Sequence, residues 1–331
     1  MDRLTEELAH ISDKNFDTLY IGGGTPSLIP NRTLENFLKK LFKSINYNGI
    51  EFTFEINPDS ADKDKLKILY DFGLTRASIG AQSFDEEILK YLGRIHNVND
   101  IYTVFRHIRN INSNISINMD IIFDIPGKKT KINKTVDELL GMAPEHISTY
   151  SFSYDTKHFR NKSTKEQSPK EYIFINNKLT QNGYQQYEIS NYAKTGHDSK
   201  HNKIYWNMNE YIGLGTSAHS MIYNCNGERI RYSNNASIEE YLKGNYQKET
   251  ETVKGEELLK EDLIFGLRQT EGVDACLLAK KYGKNYKKCI DHLRPLFEDN
   301  LLNYNGERIC TSQKGLLIMD SLQQYIWELQ F

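Results

Sequence analysis

Three consecutive glycines, Gly22, Gly23 and Gly24, end an apolar run and are followed by Thr25, Pro26 and Ser27. Glycine reaches backbone dihedrals closed to other residues and leaves its N–H groups uncovered, so a ligand can lie directly on the main chain here. The turn fits neither of the two common phosphate-cradling fingerprints. Ser27 stands where G-x-G-x-x-G needs its third glycine, and no Gly-Lys-Ser/Thr comes after it to make a P-loop. Three more polar residues sit toward the ends of short apolar runs: Glu55 in EFTFEINP, Gln82 in RASIGAQSF and Asp120 in INMDIIFDIPG. Arg94, in LGRIHN, adds a cation. Singly, each is also what a tight turn or a helix cap uses. Together they place a glycine platform, two carboxylates, an amide and a guanidinium at the ends of successive strands, where a buried strand has no use for them.

The elements that must position these groups alternate. DTLYIG, IEFTFEI, RASIGAQ, ISINMDIIF and HISTYSFS read as strands. Between them, Leu34, Phe37, Leu38, Leu41 and Phe42 share a helical face, as do Leu66, Leu69, Tyr70 and Phe72, with Gly73 as a stop. Parallel neighbours need crossover connections, so repeated βα units imply a parallel sheet, either doubly wound or part of a barrel. In both, the ligand sits at the carboxyl ends of the strands. The chain divides into three regions: an α/β core over residues 1–155, an Asn-, Tyr-, Lys- and His-rich stretch over 156–250, and a helical region over 251–331. The middle region holds a helix from Pro169 to Leu179 and the dense run YEISNYAKTGHDSKHNKIYWNMNEYIGLGTSAHS. The last region predicts helices over 258–267, Leu277–Tyr282 and Cys289–Phe297, then a hairpin, LLNYNGERICTS, whose Asn305-Gly306 suits a type I′ turn. Helices followed by a hairpin resemble a winged helix. With 10 Lys/Arg against 12 Asp/Glu over residues 255–331, that region is not the basic surface that reads DNA.

Bulk properties exclude other classes. A formal net charge of -2 in 331 residues gives no long-range attraction for nucleic acid or anionic membrane. MDRLTEELAHIS is charged and has no apolar signal core, and no stretch reaches the length of a membrane span. Cys225, Cys276, Cys289 and Cys310 are too dispersed for a metal-binding knuckle, and read as reduced thiols of a cytoplasmic protein.

GGGTPS, EINP, GAQSFD with LGRIHN after it, and NMDIIFDIPG, in that order, resemble the radical S-adenosylmethionine proteins related to oxygen-independent coproporphyrinogen III oxidase. The resemblance runs from about residue 4 to the end. It implies an incomplete parallel (β/α) barrel of radical SAM type, its first strand absent, followed by a small helical, winged-helix-like domain. It also implies that Gly23, Gly24, Thr25, Glu55, Gln82, Arg94 and Asp120 hold S-adenosylmethionine. The chemistry fits: glycine N–H groups and Arg94 suit the methionyl carboxylate, and Glu55 or Asp120 the ammonium or ribose hydroxyls. Asp124 departs from the family, which usually has glycine there; it either places a charge near the site or caps a turn.

YEISNYAKTGHDSKHNKIYW and YIGLGTSAHS look like the heme-chaperone branch of that family. The branch carries a His-Asn-x-x-Tyr-Trp motif, here His201, Asn202, Tyr205 and Trp206, which implies heme as a ligand and hemoproteins, respiratory ones among them, as acceptors. His201 is then the candidate ligand to heme iron, with His219 as a second candidate, and the aromatic side chains offer flat area for a porphyrin face. IFGLRQTEGVD, residues 264–274, matches the family's C-terminal domain. The rival function is oxidative decarboxylation of coproporphyrinogen III; no catalytic residue is assigned.

The family opens with a strand and a Cys-x-x-x-Cys-x-x-Cys loop that holds a 4Fe-4S cluster. This sequence starts at what corresponds to the first helix, and its four cysteines make no replacement triad. The expectation is that the chain as written performs no radical chemistry, and that the TLYIG strand has an unpaired apolar edge. Three explanations compete: a misplaced start codon, a degraded gene, and a cluster-free heme binder. An in-frame cysteine triad upstream of Met1 supports the first and excludes the third.

Overall fold

The computed structural model describes residues 1–125, 132–152 and 169–330. Pro126 and Gly127 of the NMDIIFDIPG motif, the end of HISTYSFS, and the opening of the 156–250 region lie outside the described residues. The chain divides into two compact units, one of Asn15–Ser199 and one of Met1–Lys14 with Lys200–Phe331. Helix α1 (Asp2–Ala9) belongs to the latter.

The first unit runs β1 (Asn15–Ile21), α2 (Asn31–Ser44), β2 (Asn46–Ile56), α3 (Lys63–Asp71), β3 (Arg76–Gln82), α4 (Glu86–Tyr91), α5 (Val98–Ile111), β4 (Ser116–Phe123), α6 (Ile132–Met142), β5 (His146–Ser151), α7 (Pro169–Gln181), β6 (Gln185–Gln186) and β7 (Asn191–Ala193). Its seven-stranded sheet has the order β1-β2-β3-β4-β5-β7-β6. The strands β1 to β5 are parallel, as the βα repeats predict. The sheet is open, and β7 and β6 extend it beyond β5 in antiparallel pairing. These last two were not predicted: with three and two residues they carry no periodicity to read.

Alternation along the parallel strands separates two faces. One is apolar: Phe52, Phe54 and Ile56 of β2, Ala77, Ile79 and Ala81 of β3, Ile117, Met119 and Ile121 of β4, and Ile147 of β5 are all buried. Helices supply matching apolar stripes, such as Leu34, Leu38 and Leu41 of α2 and Ile101, Val104 and Ile108 of α5. The helix starts are fixed locally. Asp62 accepts from the Lys65 N–H, Asp85 from those of Glu87 and Ile88, and Asn97 forms a capping box with Asp100. The other face is polar yet buried: Glu51 and Thr53, Arg76 and Ser78, Asn118, His146 and Ser148. Parallel register sets these residues side by side, Ser78 beside Glu55 and Asn118, and Asn118 beside His146.

Around Asn118 the polar groups on that face satisfy one another, whereas the buried Arg76 Nε has no partner among the described residues. The Asn118 amide donates to Ser78 Oγ at 2.8 Å and to Asp120 Oδ1 at 2.7 Å, and its oxygen accepts from Ser148 at 3.0 Å. That same oxygen lies 2.6 Å from His146 Nδ1, and His146 Nε2 lies 2.8 Å from the Tyr187 hydroxyl. Since the Asn118 oxygen can only accept, His146 carries its proton on Nδ1 and accepts from Tyr187 at Nε2. Ser199 closes the row by donating to Glu51 at 3.1 Å.

The second unit contains α8 (Lys200–Trp206), β8 (His219–Tyr223), β9 (Arg229–Asn234), α9 (Ile238–Leu242), β10 (Gln247–Val253), α10 (Glu256–Gly266), β11 (Val273–Asp274), α11 (Ala275–Tyr282), α12 (Lys284–Glu298), β12 (Leu302–Tyr304), β13 (Arg308–Thr311), α13 (Gln313–Leu316) and α14 (Met319–Glu328). Its antiparallel β8-β9-β10 sheet was not predicted. The sequence QKETETV shows no apolar alternation, and RIRYSN shows only the short one of Ile230 and Tyr232 alongside charged residues. The predicted helices and hairpin are present, and the β11-β13-β12 sheet gives them the element order of a winged helix. The hairpin turn differs from the expected type I′. Tyr304 pairs with Ile309, leaving a four-residue loop in which Gly306 has φ +92° while Asn305 is outside the left-handed region. The Asn305 side chain instead accepts from the N–H groups of Glu307 and Arg308, at 3.0 and 2.7 Å. An Asx turn thus does the work that backbone strain at Asn305 would have done.

Burial holds the His146 imidazole well below its usual 6.5, with the positive charges of Arg76 and His197 adding to the effect. As pH falls through 6.5, the unfolded chain takes up a proton that the folded chain refuses, so stability is lost below that pH. The expected slope from this group is up to about 1.4 kcal/mol per pH unit. Urea unfolding between pH 7 and 5 should show a shallower pH dependence in His146→Gln than in the unaltered protein; equal slopes would refute the assignment.

Candidate functional site

The glycine turn is shaped by what Glu55 does. Its two carboxylate oxygens accept from the Tyr20 hydroxyl at 2.7 Å and from the Gly23 N–H at 3.0 Å. Tyr20 lies beside Thr53 in the β1–β2 register, which brings its ring to the end of β2. Gly22 has no room for a side chain: a Cβ there would lie 2.5 Å from Tyr20 Cε1 and 2.6 Å from Glu55 Oε1. Gly23 and Gly24 have φ of +81° and +61° and open space where a Cβ would stand. The platform is therefore exposed, but the Gly23 N–H is already engaged by Glu55.

The residues after the glycines are riveted to the next βα loop. Thr25 accepts from the Leu28 N–H to start a 3₁₀ turn, Pro26–Leu28. Ser27 is fully buried; its hydroxyl lies 2.6 Å from Ser60 Oγ and accepts from the Asn57 N–H at 3.0 Å. The buried Lys65 ammonium donates to the carbonyls of Ser27 and Ser60. These contacts fix the turn against the end of β2.

Gln82 ends β3 at a register shift and has φ +62°. Left-handed backbone at a non-glycine residue is strained and re-aims the side chain. Here the amide folds back over Gly80, so that a Cβ on Gly80 would meet Gln82 Nε2 at 2.9 Å and Asn57 Oδ1 at 3.5 Å. Asp120 accepts from Asn118 at 2.7 Å and from Ser78 at 3.3 Å; desolvation raises its pKa, and the negative charge of Glu55 pushes the same way. Arg94 is half-buried, and its guanidinium makes no hydrogen bond or ion pair among the described residues. Desolvation lowers its pKa, opposed by the charges of Asp120 and Asp59. Tyr20, Gly23 and Glu55 are thus in direct contact, Asp120 and Arg94 are in electrostatic reach of the group, and Gln82 packs beside Asn57.

Asp124 has φ +58°, the reason glycine suits this position. Its N–H donates to Glu171 at 2.7 Å, and burial together with that carboxylate raises its own pKa.

In the second unit, α8 carries His201, Asn202, Tyr205 and Trp206 and has no fully buried residue. His201 and Tyr205, one turn apart, come together: the rings are 5.0 Å apart at 89°, and His201 Nε2 lies 2.7 Å from the Tyr205 hydroxyl. Tyr205 in turn meets Tyr211 edge-on at 4.6 Å. Trp206 has different neighbours. It stacks on Phe265 at 6.5 Å, and the Arg268 guanidinium lies 4.5 Å from its ring centre. His219 is exposed at the start of β8.

Several residues of the first-unit site escaped the reading of strand ends: Tyr20, Ser27, Asn57, Arg76 and the Asn118–His146 pair. The usable signal was polar residues at every second position within the strands, as in Glu51, Thr53 and Glu55.

Known proteins share this architecture. Residues 1–139 match the radical SAM superfamily, and residues 253–318 the HemN C-terminal domain. The solved structure of coproporphyrinogen III oxidase (HemN) from Escherichia coli, described as a radical SAM enzyme, superimposes with a TM-score of 0.81 at 21% identity, over 99% of this chain and 82% of that one. The fold is that of a radical SAM protein with a HemN-type C-terminal domain. Among curated relatives, heme chaperone HemW of Bacillus subtilis is 33% identical over 94% of this chain and 85% of its own length. HemW of Lactococcus lactis is 28% identical over 95% and 86%. The chain belongs to the HemW family, heme chaperone-like radical SAM proteins.

Gly22→Ala is expected to force Tyr20 and Glu55 apart and to cost about 1–3 kcal/mol in urea unfolding, the usual range for overpacking. The penalty should shrink in a Glu55→Ala background, where the clashing carboxylate is gone. An undiminished penalty would show that Gly22 serves some other contact.

Proposed function

We propose that this chain binds heme and passes it to acceptor hemoproteins in the cytoplasm, and that its glycine turn and strand ends hold S-adenosylmethionine. The carrying observation is α8. A seven-residue helix presents an imidazole, two aromatic rings and an amide with none of them fully buried. Aromatic area left outside the core suits a flat apolar ligand. The names of the relatives support the same reading, and they favour transfer of heme over decarboxylation of coproporphyrinogen III. Among the described residues no helix is long and apolar enough to cross a membrane. Hemoprotein acceptors, respiratory ones included, rest on the chaperone reading alone.

The first-unit site fits S-adenosylmethionine in its charges. Glu55 and Asp120 offer oxygens to an ammonium, a sulfonium or ribose hydroxyls, and the Arg94 guanidinium, with no partner among the described residues, offers an N–H fork to a carboxylate. Gly23 and Gly24 give the open surface, Thr25 and the buried Ser27 hold it in place, and Gln82 forms the neighbouring wall. When bound, S-adenosylmethionine supplies an electrophilic sulfonium. The family's 4Fe-4S cluster needs several cysteine thiolates. Cys225 and Cys276 are exposed, Cys310 is half-buried and Cys289 is buried. No three ligating side chains gather among the described residues to hold one.

Two experiments test the two halves. Arg94→Gln is expected to weaken retention of S-adenosylmethionine in equilibrium dialysis about tenfold or more, the worth of a charged hydrogen bond, while leaving decarboxylated S-adenosylmethionine unaffected. Equal losses for both ligands would remove Arg94 as the carboxylate partner. In hemin titrations, His201→Ala should shift the Soret band and weaken binding; an unchanged spectrum and affinity would remove His201 as the iron ligand.

A further inference from the structure

Behind Trp206 the second unit has a cleft of about 720 Å³ bounded by the end of α8, α10, β11 and α11, a volume in the range of small-molecule sites. Its apolar wall comes from Trp206, Val273, Leu277 and Leu278. Phe265 stacks on the Trp206 ring at 6.5 Å and the Arg268 guanidinium lies 4.5 Å from its centre, so the indole is fixed in place. Leu277, at the cleft, is 64% exposed and adds apolar area to its mouth. Two lining residues also carry unsatisfied buried atoms: Trp206 Nε1 and Gln269 Oε1 have no hydrogen-bond partner among the described residues.

The charges at the cleft are unevenly balanced. Asp262 is occupied by Arg229, Lys281 and Tyr282, and Asp274 by the N–H of Leu277, which it caps. Arg308 is pinned by the carbonyls of Glu271 and Gly272, at 2.6 and 2.8 Å, and so stands at the edge in a fixed orientation. The Lys280 ammonium makes no hydrogen bond or ion pair among the described residues. The Glu271 carboxylate lies 4.0 Å from Arg308, so the charge left uncommitted beside the apolar wall is the Lys280 ammonium.

We propose that this cleft takes the apolar face of a tetrapyrrole and that Lys280 and Arg308 hold the carboxylates at its edge. The inference rests on the heme reading above: it concerns the apolar face and the carboxylates of the ligand and leaves the iron to His201. It makes the second unit selective for macrocycles that carry free acid side chains over their neutral counterparts.

The test compares hemin with hemin dimethyl ester, whose carboxylates are blocked, in titrations of the full chain. Lys280→Glu should weaken hemin at least fivefold, leave the ester unchanged and leave the Soret position of bound hemin where it was. Leu277→Arg, at an exposed position that does not threaten folding, should weaken both ligands by obstructing the wall. If both variants bind hemin as tightly as the unaltered protein, the cleft is not the site. If Lys280→Glu weakens hemin and the ester alike, the role given to the carboxylates is wrong. Failure of the unaltered protein to bind hemin would overturn the heme reading itself, and the cleft with it.

Discussion

A parallel sheet that is apolar on one side and polar on the other constrains everything else in the first unit. Parallel strands are usually covered by helices on both faces and read as continuous apolar runs. Here Phe52, Phe54 and Ile56 alternate with Glu51, Thr53 and Glu55, and the same division recurs in β3 and β4. The apolar face is bound to its helices by burial, at roughly 1.5–3 kcal/mol for each large side chain. The polar face must satisfy itself, because a buried polar group without a partner costs about 1–3 kcal/mol. It does so along a chain from Asp120 through Asn118 and His146 to Tyr187. Slipping any strand by one residue would exchange the two faces, so the network also enforces register.

That chain gives the candidate site its electrostatics. Asp120 is half-buried and held by neutral donors from Ser78 and Asn118, so its charge is not cancelled by a close cation. Glu55 is likewise held by a phenol and a backbone N–H. The Arg94 guanidinium remains without a direct partner among the described residues although it feels Asp120 and Asp59. Deeper on the same face, Arg76 is buried with its Nε unbonded, and its positive charge favours the ionised form of Asp120. Charges of both signs are thus held near one another without collapsing into salt bridges. Such a state is unfavourable in an empty interior and well suited to a zwitterion that bridges them.

The parts of this arrangement that were legible in the sequence are those with a local signature. The βα alternation, the stop at Gly73 and the glycine turn each declare themselves within a few residues. Gly22 could be seen as a glycine but not as a position closed by Glu55, because that contact depends on the pairing of β1 with β2. Ser27 and Lys65 look like ordinary loop and helix residues; their burial comes from the meeting of two βα loops. The sheet β8-β9-β10 was missed for the opposite reason: its apolar residues, such as Met221, Ile230 and Val253, are too few and too scattered along polar or charged strands to mark them. At Asn305-Gly306 the dipeptide marked the hairpin correctly, and the wrong turn type was assigned because the asparagine side chain competes with the backbone for the same N–H groups.

Helix α8 shows the same principle in the second unit. A short helix with no buried residue gains little from packing, and helices of this length are marginal alone. Trp206 repays part of the deficit by stacking on Phe265 and under Arg268. It does so while leaving an indole N–H with no acceptor. A protein that needed only to anchor the helix could place leucine here and avoid the orphaned donor. Keeping tryptophan retains a rigid plane at the wall of a cleft, next to an imidazole and phenol pair on the same turn.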